Sequence, residues 1–289
     1  MTDFIAFARA HGILIDRLPP LGVWRRYPTD DHPHKRNGAI KWMGEVGFIQ
    51  NWAISSEVAV WKTDKANPVD LAQYRRDVQE AERKRLQQQE EAAKKAQWIL
   101  SQCQYGHHPY LAAKGFPDAQ GQVWKSDDGL ILVIPMRVGH RLVGCQLIRE
   151  GGSKKFLFGQ RTSNAEYIMD AKGPHVLCEG YATALSIKQA LIALKRKFTL
   201  HVCFSAGNMK KIAETLPGGF VVADNDLSLT GQKTAQEIGW PWWMPPDAGT
   251  DFNDFAQQVK TFKASQALNK MFTPSRPASC GPCEPHPAR

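Results

Sequence analysis

The chain is short of long apolar runs. None approaches the roughly 20 residues that span a bilayer, so no membrane span is expected. The start, Met1-Thr2-Asp3-Phe4, lacks the basic flank and apolar stretch of a secretion signal. Cysteine is sparse, 6 in 289 residues, too few for the disulfide framework of a small secreted fold. Cys145, Cys178 and Cys203 lie inside apolar runs and read as small core residues, so a reducing cytoplasm is the expected setting. No Cys-x-x-Cys pair precedes residue 174. Cys280-Gly-Pro-Cys283 stands alone in a Pro-rich tail, while His32 with His34, and Cys103 with His107 and His108, lack the paired partners of a zinc site. A Gly-x-x-x-x-Gly-Lys-Ser/Thr phosphate loop is also missing, which excludes that kind of motor within the chain.

What is present supports a folded protein. Apolar residues make up 43% and aromatics 10%, enough for a core and too many for general disorder. The net charge is +9 and the pI near 9.3, a balance suited to a polyanionic partner. Residues 1–66 are aromatic-rich, with short apolar runs at Gly22–Tyr27, Ile40–Met43, Val46–Ile49 and Val58–Trp61, and read as a small β-rich module. Trp24, Arg25, Arg26, Lys35, Arg36 and Trp42 interleave rings with charge there, as single-strand binders do, although in so small a module such tryptophans also serve as core.

From Asp70 to Gln104 there is no glycine or proline, and charges dominate. Glu80–Lys84, Glu90–Lys94 and Glu91–Lys95 have the favourable i,i+4 order, so residues 67–104 are expected to form a charged linker helix. Residues 105–173 are mixed α+β in pattern, with Leu130–Ile134 and Leu142–Ile148 as paired strands. The basic Lys154, Lys155 and Arg161 follow. Residues 174–262 carry the catalytic pattern, and 263–289 are expected to be a disordered tail.

Within 174–262, acidic groups stand just past three apolar runs. Val176-Leu177-Cys178 leads to Glu179-Gly180, Phe220-Val221-Val222-Ala223 to Asp224-Asn225-Asp226, and Trp242-Trp243-Met244 to Asp251-Phe252-Asn253-Asp254. Such runs alternating with helical stretches indicate α/β architecture with a parallel sheet, whose ligands bind beyond the carboxyl ends of the strands. Asp224 and Asp226 are spaced to share a face of extended chain. Two carboxylates about 5 Å apart repel by about 3 kcal/mol at an effective dielectric of about 20, which a cation would relieve. Hard oxygen donors without a histidine cluster point to Mg²⁺ or Mn²⁺. Taken alone, the tripeptide also reads as an ordinary polar turn. Glu179 can ligate a metal or act as a general base. Ser205-Ala-Gly-Asn208 forms a second strand-to-helix turn, whose amides suit either a phosphate oxygen or simple helix capping, with Lys210 and Lys211 next in sequence.

Glu179-Gly180, Phe204-Ser-Ala-Gly-Asn208, Asp224-Asn-Asp226 and Asp251-Phe-Asn-Asp254, in that order, resemble the Toprim domain, and most closely the Toprim DNA primases of conjugative plasmids, phages and satellite elements. The resemblance extends upstream to Gly22–Trp61 and Lys154–Met169. It implies a Toprim-like parallel sheet flanked by helices, preceded by a small β-rich module and a long charged helix. It also implies a nucleotidyl transferase making short primers on single-stranded DNA, using nucleoside triphosphates and Mg²⁺ or Mn²⁺, with a replicative helicase as a further partner. The family's glutamate falls on Glu179, its Asp-x-Asp on Asp224 and Asp226, and its later acid on Asp251. Lys154, Lys155, Arg161, Asn208 and Lys210 are the expected nucleotide and DNA contacts. Asn253 and Thr183 stand where bacterial replicative primases carry acids, so a second metal would be held less strongly. The alternatives are a Toprim nuclease, or a nucleic-acid-binding adaptor with a decayed site.

Overall fold

The computed structural model describes residues 4–52, 54, 58–63, 68–127, 129–170 and 172–272. Cys280, Cys283 and the Pro-rich tail lie outside the described residues. The chain divides into two units at Lys84/Arg85.

In the first unit, α1 (Phe4–Ala10) is followed by β1 (Trp24–Tyr27), β2 (Gly38–Trp42), β3 (Val46–Asn51) and β4 (Ala59–Lys62). The strands form one antiparallel sheet in chain order. Phe4, Ile13, Ile40 and Ile49 close its core. Phe4 stacks on Trp42 at 4.9 Å between centroids and lies 5.4 Å from Trp61. That approach requires Gly47, where a Cβ would come within 2.2 Å of the Phe4 ring. Trp42 is therefore a core residue. Trp24 is half exposed, and Trp52 carries the Arg26 guanidinium 3.9 Å above its ring.

Helix α2 (Pro68–Gln102) runs through the division. Glu80–Lys84 and Glu90–Lys94 pair along it at 2.7 and 3.7 Å. The expectation of a solvated linker is corrected in its C-terminal half. Ala92, Ala96 and Ile99 are buried against Ile131, Val133, Cys145 and Leu157. These are spaced four and three residues apart and so form one stripe. Small alanines bury little area each and leave the stripe faint among the charges.

After α2 come β5 (Gln104–Gly106), α3 (Pro109–Ala113), β6 (Gly121–Ser126), β7 (Gly129–Val138), β8 (Arg141–Arg149) and β9 (Lys154–Phe156). These five strands make an antiparallel sheet in chain order. On β7, Ile131 and Val133 face α2, while Leu132 and Ile134 belong to the main core of the unit. Both faces are covered, so the run reads as continuously apolar rather than alternating.

The second sheet uses β10 (Tyr167–Met169), β11 (His175–Cys178), β12 (Thr199–Val202), β13 (Gly219–Val222) and β14 (Trp242–Trp243), in the order β10-β12-β11-β13-β14. β12, β11, β13 and β14 are parallel, and β10 is an antiparallel edge strand. β10 comes from the segment expected to belong with 105–173. Helices α4 (Tyr181–Ala193), α5 (Ala206–Ala213), α6 (Thr230–Ile238) and α7 (Phe252–Phe272) connect and cover the strands. The architecture is mixed α/β. Val176 and Cys178 pack with Ala182, Ile187 and Phe252, while Leu177 packs with Met209, Ile212 and Ala235. Residues 263–272, expected to belong to the tail, are part of α7, which breaks at Lys260 (φ 68°) and then resumes. Ala264 and Leu268, four residues apart, are buried in the main core and hold residues 263–272 in place. Among the described residues no helix is long and apolar enough to cross a membrane.

Candidate active site

Because β11 and β13 are parallel neighbours, chain leaving their carboxyl ends emerges on one edge of the sheet. Glu179 follows β11 directly, and Asp224 follows β13 with Ala223 between them. Asp251 arrives by a different route. The Asn225 amide donates to the Thr250 carbonyl at 3.0 Å, and the Asn225 carbonyl accepts from Gly249. Buried Asn225 also donates through Nδ2 to the Pro245 carbonyl at 2.9 Å. These bonds tie the long connection after β14 to the Asp224–Asp226 turn and bring Asp251 alongside.

The carboxylates sense one another. Burial, and after it the Asp226 charge, raises the Glu179 pKa, although the Ala206 backbone amide at the start of α5 donates to it. Burial pushes Asp224 up to about 7, with Glu179 and Asp251 adding to the rise and Lys154 opposing it. Asp224 Oδ1 is buried and has no hydrogen-bond partner. An unpaired buried oxygen is costly.

Asp226 and Asp251 are held differently. Burial alone would raise Asp226, but hydrogen bonds from Ser228, Gly231 and Thr230 leave it below the ordinary value. Its Oδ1 accepts from the Ser228 and Thr230 amides at 2.9 and 3.1 Å and from the Ser228 hydroxyl, and its Oδ2 accepts from the Gly231 amide at 3.0 Å. Asp226 thus caps the entry to α6. Asp251 Oδ1 accepts from the Asp254 amide at 2.9 Å, and Asp254 Oδ2 accepts from the Asp251 amide at 3.2 Å. This reciprocal pair is a capping box for α7. The Thr183 hydroxyl donates to Asp251 Oδ2 at 3.2 Å.

Asn253 is fully buried. Its Nδ2 donates to the Lys114 carbonyl and to Ser186 Oγ at 2.8 and 2.9 Å, and its Oδ1 accepts from Gln257. It is a packing residue, not a member of the acidic set. Among the described residues no three His, Cys, Asp or Glu side chains are gathered closely enough to hold a metal ion as they stand. The fit to a hard divalent cation rests instead on the unpartnered Asp224 oxygen and on the repulsion that Glu179 and Asp251 exert on Asp224. A cation would relieve both, so the donor chemistry suits Mg²⁺ or Mn²⁺.

The basic residues separate. Lys154 lies within electrostatic reach of Asp224 and 5.9 Å from the Tyr110 ring. Lys155 is the next residue on β9, and strand alternation turns it to the opposite face. The Arg161 Nε donates to the Ser163 carbonyl at 3.0 Å, in the loop after β9. Lys210 pairs with Glu237 of α6 at 2.7 Å, and this hydrogen bond raises its pKa.

The expectation that Asn208 contacts nucleotide is corrected. Its Nδ2 donates to the Ala165 and Cys203 carbonyls at 2.7 and 2.8 Å, and its Oδ1 accepts from the Asn164 amide at 2.7 Å. With every donor and acceptor engaged internally, Asn208 fixes the turn before α5. That turn contains Phe204 at φ 67°, a left-handed conformation uncommon for an aromatic residue. Ser205 supplies the N-cap, accepting from the Asn208 amide.

Tyr110 was not visible in the sequence as a site residue. It is buried and its hydroxyl has no partner; desolvation first, then Asp251 and Asp254, push its pKa up to about 12. Lys114 Nζ lies 3.6 Å from Asp254. Both belong to a short helix-and-glycine stretch that gave no chemical signal of its own.

No protein-family model matches the chain, and no curated protein matches it. Among solved structures, it is similar to a DNA primase domain from Pseudomonas aeruginosa, with 14% identity and a TM-score of 0.33, over 59% of this chain and 57% of that one. The chain therefore spans less than two thirds of that domain, and likeness at this level decides neither fold nor function.

Proposed function

We propose that this chain is a Toprim-type primase, a nucleotidyl transferase that joins nucleotides on a single-stranded DNA template with Mg²⁺ or Mn²⁺. The observation that carries the reading is Asp224: a buried carboxyl with one unpartnered oxygen, raised by Glu179 and Asp251, at the carboxyl edge of a parallel sheet. Glu179, Asp224 and Asp251 would hold the ion, with Asp226 at the rim. Bound there, the ion supplies Lewis acidity toward phosphoryl oxygens. Lys154, which opposes the rise at Asp224, would offset part of the negative charge and meet a phosphate. Where Asp224 and Asp251 hold the ion without it, Glu179 would instead accept a proton from an attacking hydroxyl. Residues 105–173 contribute through Lys154 and Tyr110 to the edge carried by 174–262.

The test is primer synthesis on single-stranded DNA with Mg²⁺ or Mn²⁺, comparing wild type with Asp224→Ala. Loss of synthesis in the variant is expected, and robust synthesis would overturn the assignment. Labelled DNA incubated without nucleotides checks for cutting by the same carboxylates. A second reading, a nucleic-acid-binding adaptor, is favoured by Asn253, whose amide is locked into packing where a further carboxylate would stand. Calorimetric titration with Mn²⁺ separates them: an adaptor shows no binding that depends on Asp224.

A further inference from the structure

The sheet of the first unit ends on an open strand. β4 is the outermost of the four, and among the described residues no strand pairs with its outer side. The Thr63 amide donates to the Glu45 carbonyl at 2.9 Å, continuing the β3–β4 register by one residue. Bonded pairs alternate along an antiparallel ladder. Ala59 and Trp61 therefore bond back to Ile49 and Gly47, while Val60 and Lys62 turn their N–H and C=O outward. Native sheets commonly blunt such an edge with charge or proline. Here Val58 and Val60 are 39% and 51% exposed, and of the four strand residues only Lys62 is charged.

A cavity of about 320 Å³ opens at the start of this strand, with His11, Ile49, Asn51, Ile54, Val58 and Ala59 in its lining. Its volume falls within the roughly 300–1,000 Å³ of ligand pockets. Its walls are tied together. Asn51 Nδ2 donates to the His11 carbonyl at 2.9 Å, and Ile49 and Ala59 are cross-strand partners. His11 Nδ1 lies 2.8 Å from the Phe7 carbonyl, which can only accept, so Nδ1 carries the proton. In the neutral ring Nε2 is then an acceptor, and the Phe7 ring, 4.3 Å away between centroids, holds the imidazole in place. An apolar cavity offering that acceptor selects a side chain with an apolar ring and one donor. Tyrosine and tryptophan meet the requirement, whereas leucine and phenylalanine leave Nε2 unpaired.

We propose that β4 and this cavity take an extended segment of a partner protein, added as an antiparallel strand with one tyrosine or tryptophan side chain seated in the cavity. Backbone bonds to Val60 and Lys62 supply the affinity, and the cavity supplies the selection. The register also sets a charge. Lys62 stands three residues beyond Ala59 and on the opposite face, so it pairs with an acidic residue three positions before the aromatic one in the added strand. A second copy of this chain fits worse. Pairing of β4 with itself through Val60 sets the Trp61 of one copy opposite the Ala59 of the other, and that ring is already packed against Phe4 in the core. The inference is independent of the primase reading and of the acidic edge.

The experiment is fluorescence anisotropy of a fluorescein-labelled peptide, Thr-Glu-Val-Thr-Trp-Thr, titrated with the full chain. Saturable binding is expected, and replacing the peptide's tryptophan by alanine should weaken it at least about tenfold. Val60→Pro removes an outward N–H and no β3–β4 bond, so it should weaken binding at least about tenfold with an unchanged thermal melt. Lys62→Glu should weaken it about threefold, and a peptide with lysine in place of glutamate should recover that loss. No saturable binding by wild type up to about 1 mM, or equal binding by Val60→Pro, would overturn the proposal. So would dimerisation in sedimentation that Val60→Pro abolishes, which would give the edge to a second copy. Displacement of the peptide by single-stranded DNA would overturn it too, by making the edge a nucleic-acid face.

Discussion

At the residue scale, Asp224 sets activity against stability. Its folded pKa, about 7, lies well above the ordinary 3.8, chiefly through burial. The protonated form therefore suits the fold. Its contribution is complete below pH 3.8 and is lost as the pH rises through about 7. Without metal, Asp224→Asn removes a group that resists ionisation and should raise stability by about 4 kcal/mol at pH 8, with little change at pH 4. Thermal melts of both proteins across this range check it; equal curves at pH 8 would show that Asp224 ionises freely. The acidic set after the apolar runs, Glu179, Asp224 and Asp251, was legible in the sequence as a spacing alone. The division of labour within it was not. Which carboxylate is an orphan and which, like Asp226, is satisfied depends on where Ser228, Thr230 and Gly231 point. Asn208 shows the same limit: its motif reads equally well as a phosphate turn and as an internal clamp.

At the element scale, strands were easier to read than helices. Leu130–Ile134 and Val176–Cys178 are apolar throughout because both their faces are covered. Helix α2 was legible as a helix, and its buried stripe was masked by the charges around Ala92, Ala96 and Ile99. Ala96→Asp should place an unpaired charge in that seam and destabilise the second unit by more than about 3 kcal/mol. Glu90→Ala, on the exposed side, should cost no more than about 0.5 kcal/mol. Urea unfolding of the two variants distinguishes a packed helix from a solvated linker. The second sheet also carries a chain of side-chain contacts that no single segment of sequence announces. The Glu166 carboxylate lies 2.6 Å from His201 Nδ1, and His201 Nε2 lies 2.9 Å from His175 Nδ1. Desolvation first, and then His201, lowers the His175 pKa. A lowered histidine favours the fold in its neutral form, so its contribution is present above pH 6.5 and is lost as the pH falls through the folded value. His175→Gln should therefore flatten the acid limb of the stability–pH curve below about pH 6.5. A variant with the same slope as wild type would show that His175 does not titrate against the fold.

At the scale of the whole molecule, a basic chain with net charge +9 gathers Glu179, Asp224 and Asp251 at one edge of one unit. A cation bound there should stabilise only the unit that contains it. The two units, divided at Lys84/Arg85, are expected to give separable calorimetric transitions, with Mn²⁺ moving the one that belongs to residues 85–289. At a concentration about 100 times the dissociation constant, the stabilisation should be about 2.7 kcal/mol. Asp224 must give up its proton to bind, so affinity should climb between about pH 6 and pH 8, with proton uptake by the buffer visible in titrations using buffers of different ionisation heat. Asp224→Asn should remove both the Mn²⁺ shift and its pH dependence. The first unit, with its Phe4–Trp42–Trp61 core, should melt at the same temperature with and without Mn²⁺. If both transitions move together, the ion does not act through the acidic edge of the second unit. If neither moves, the unpartnered oxygen of Asp224 does not serve a metal.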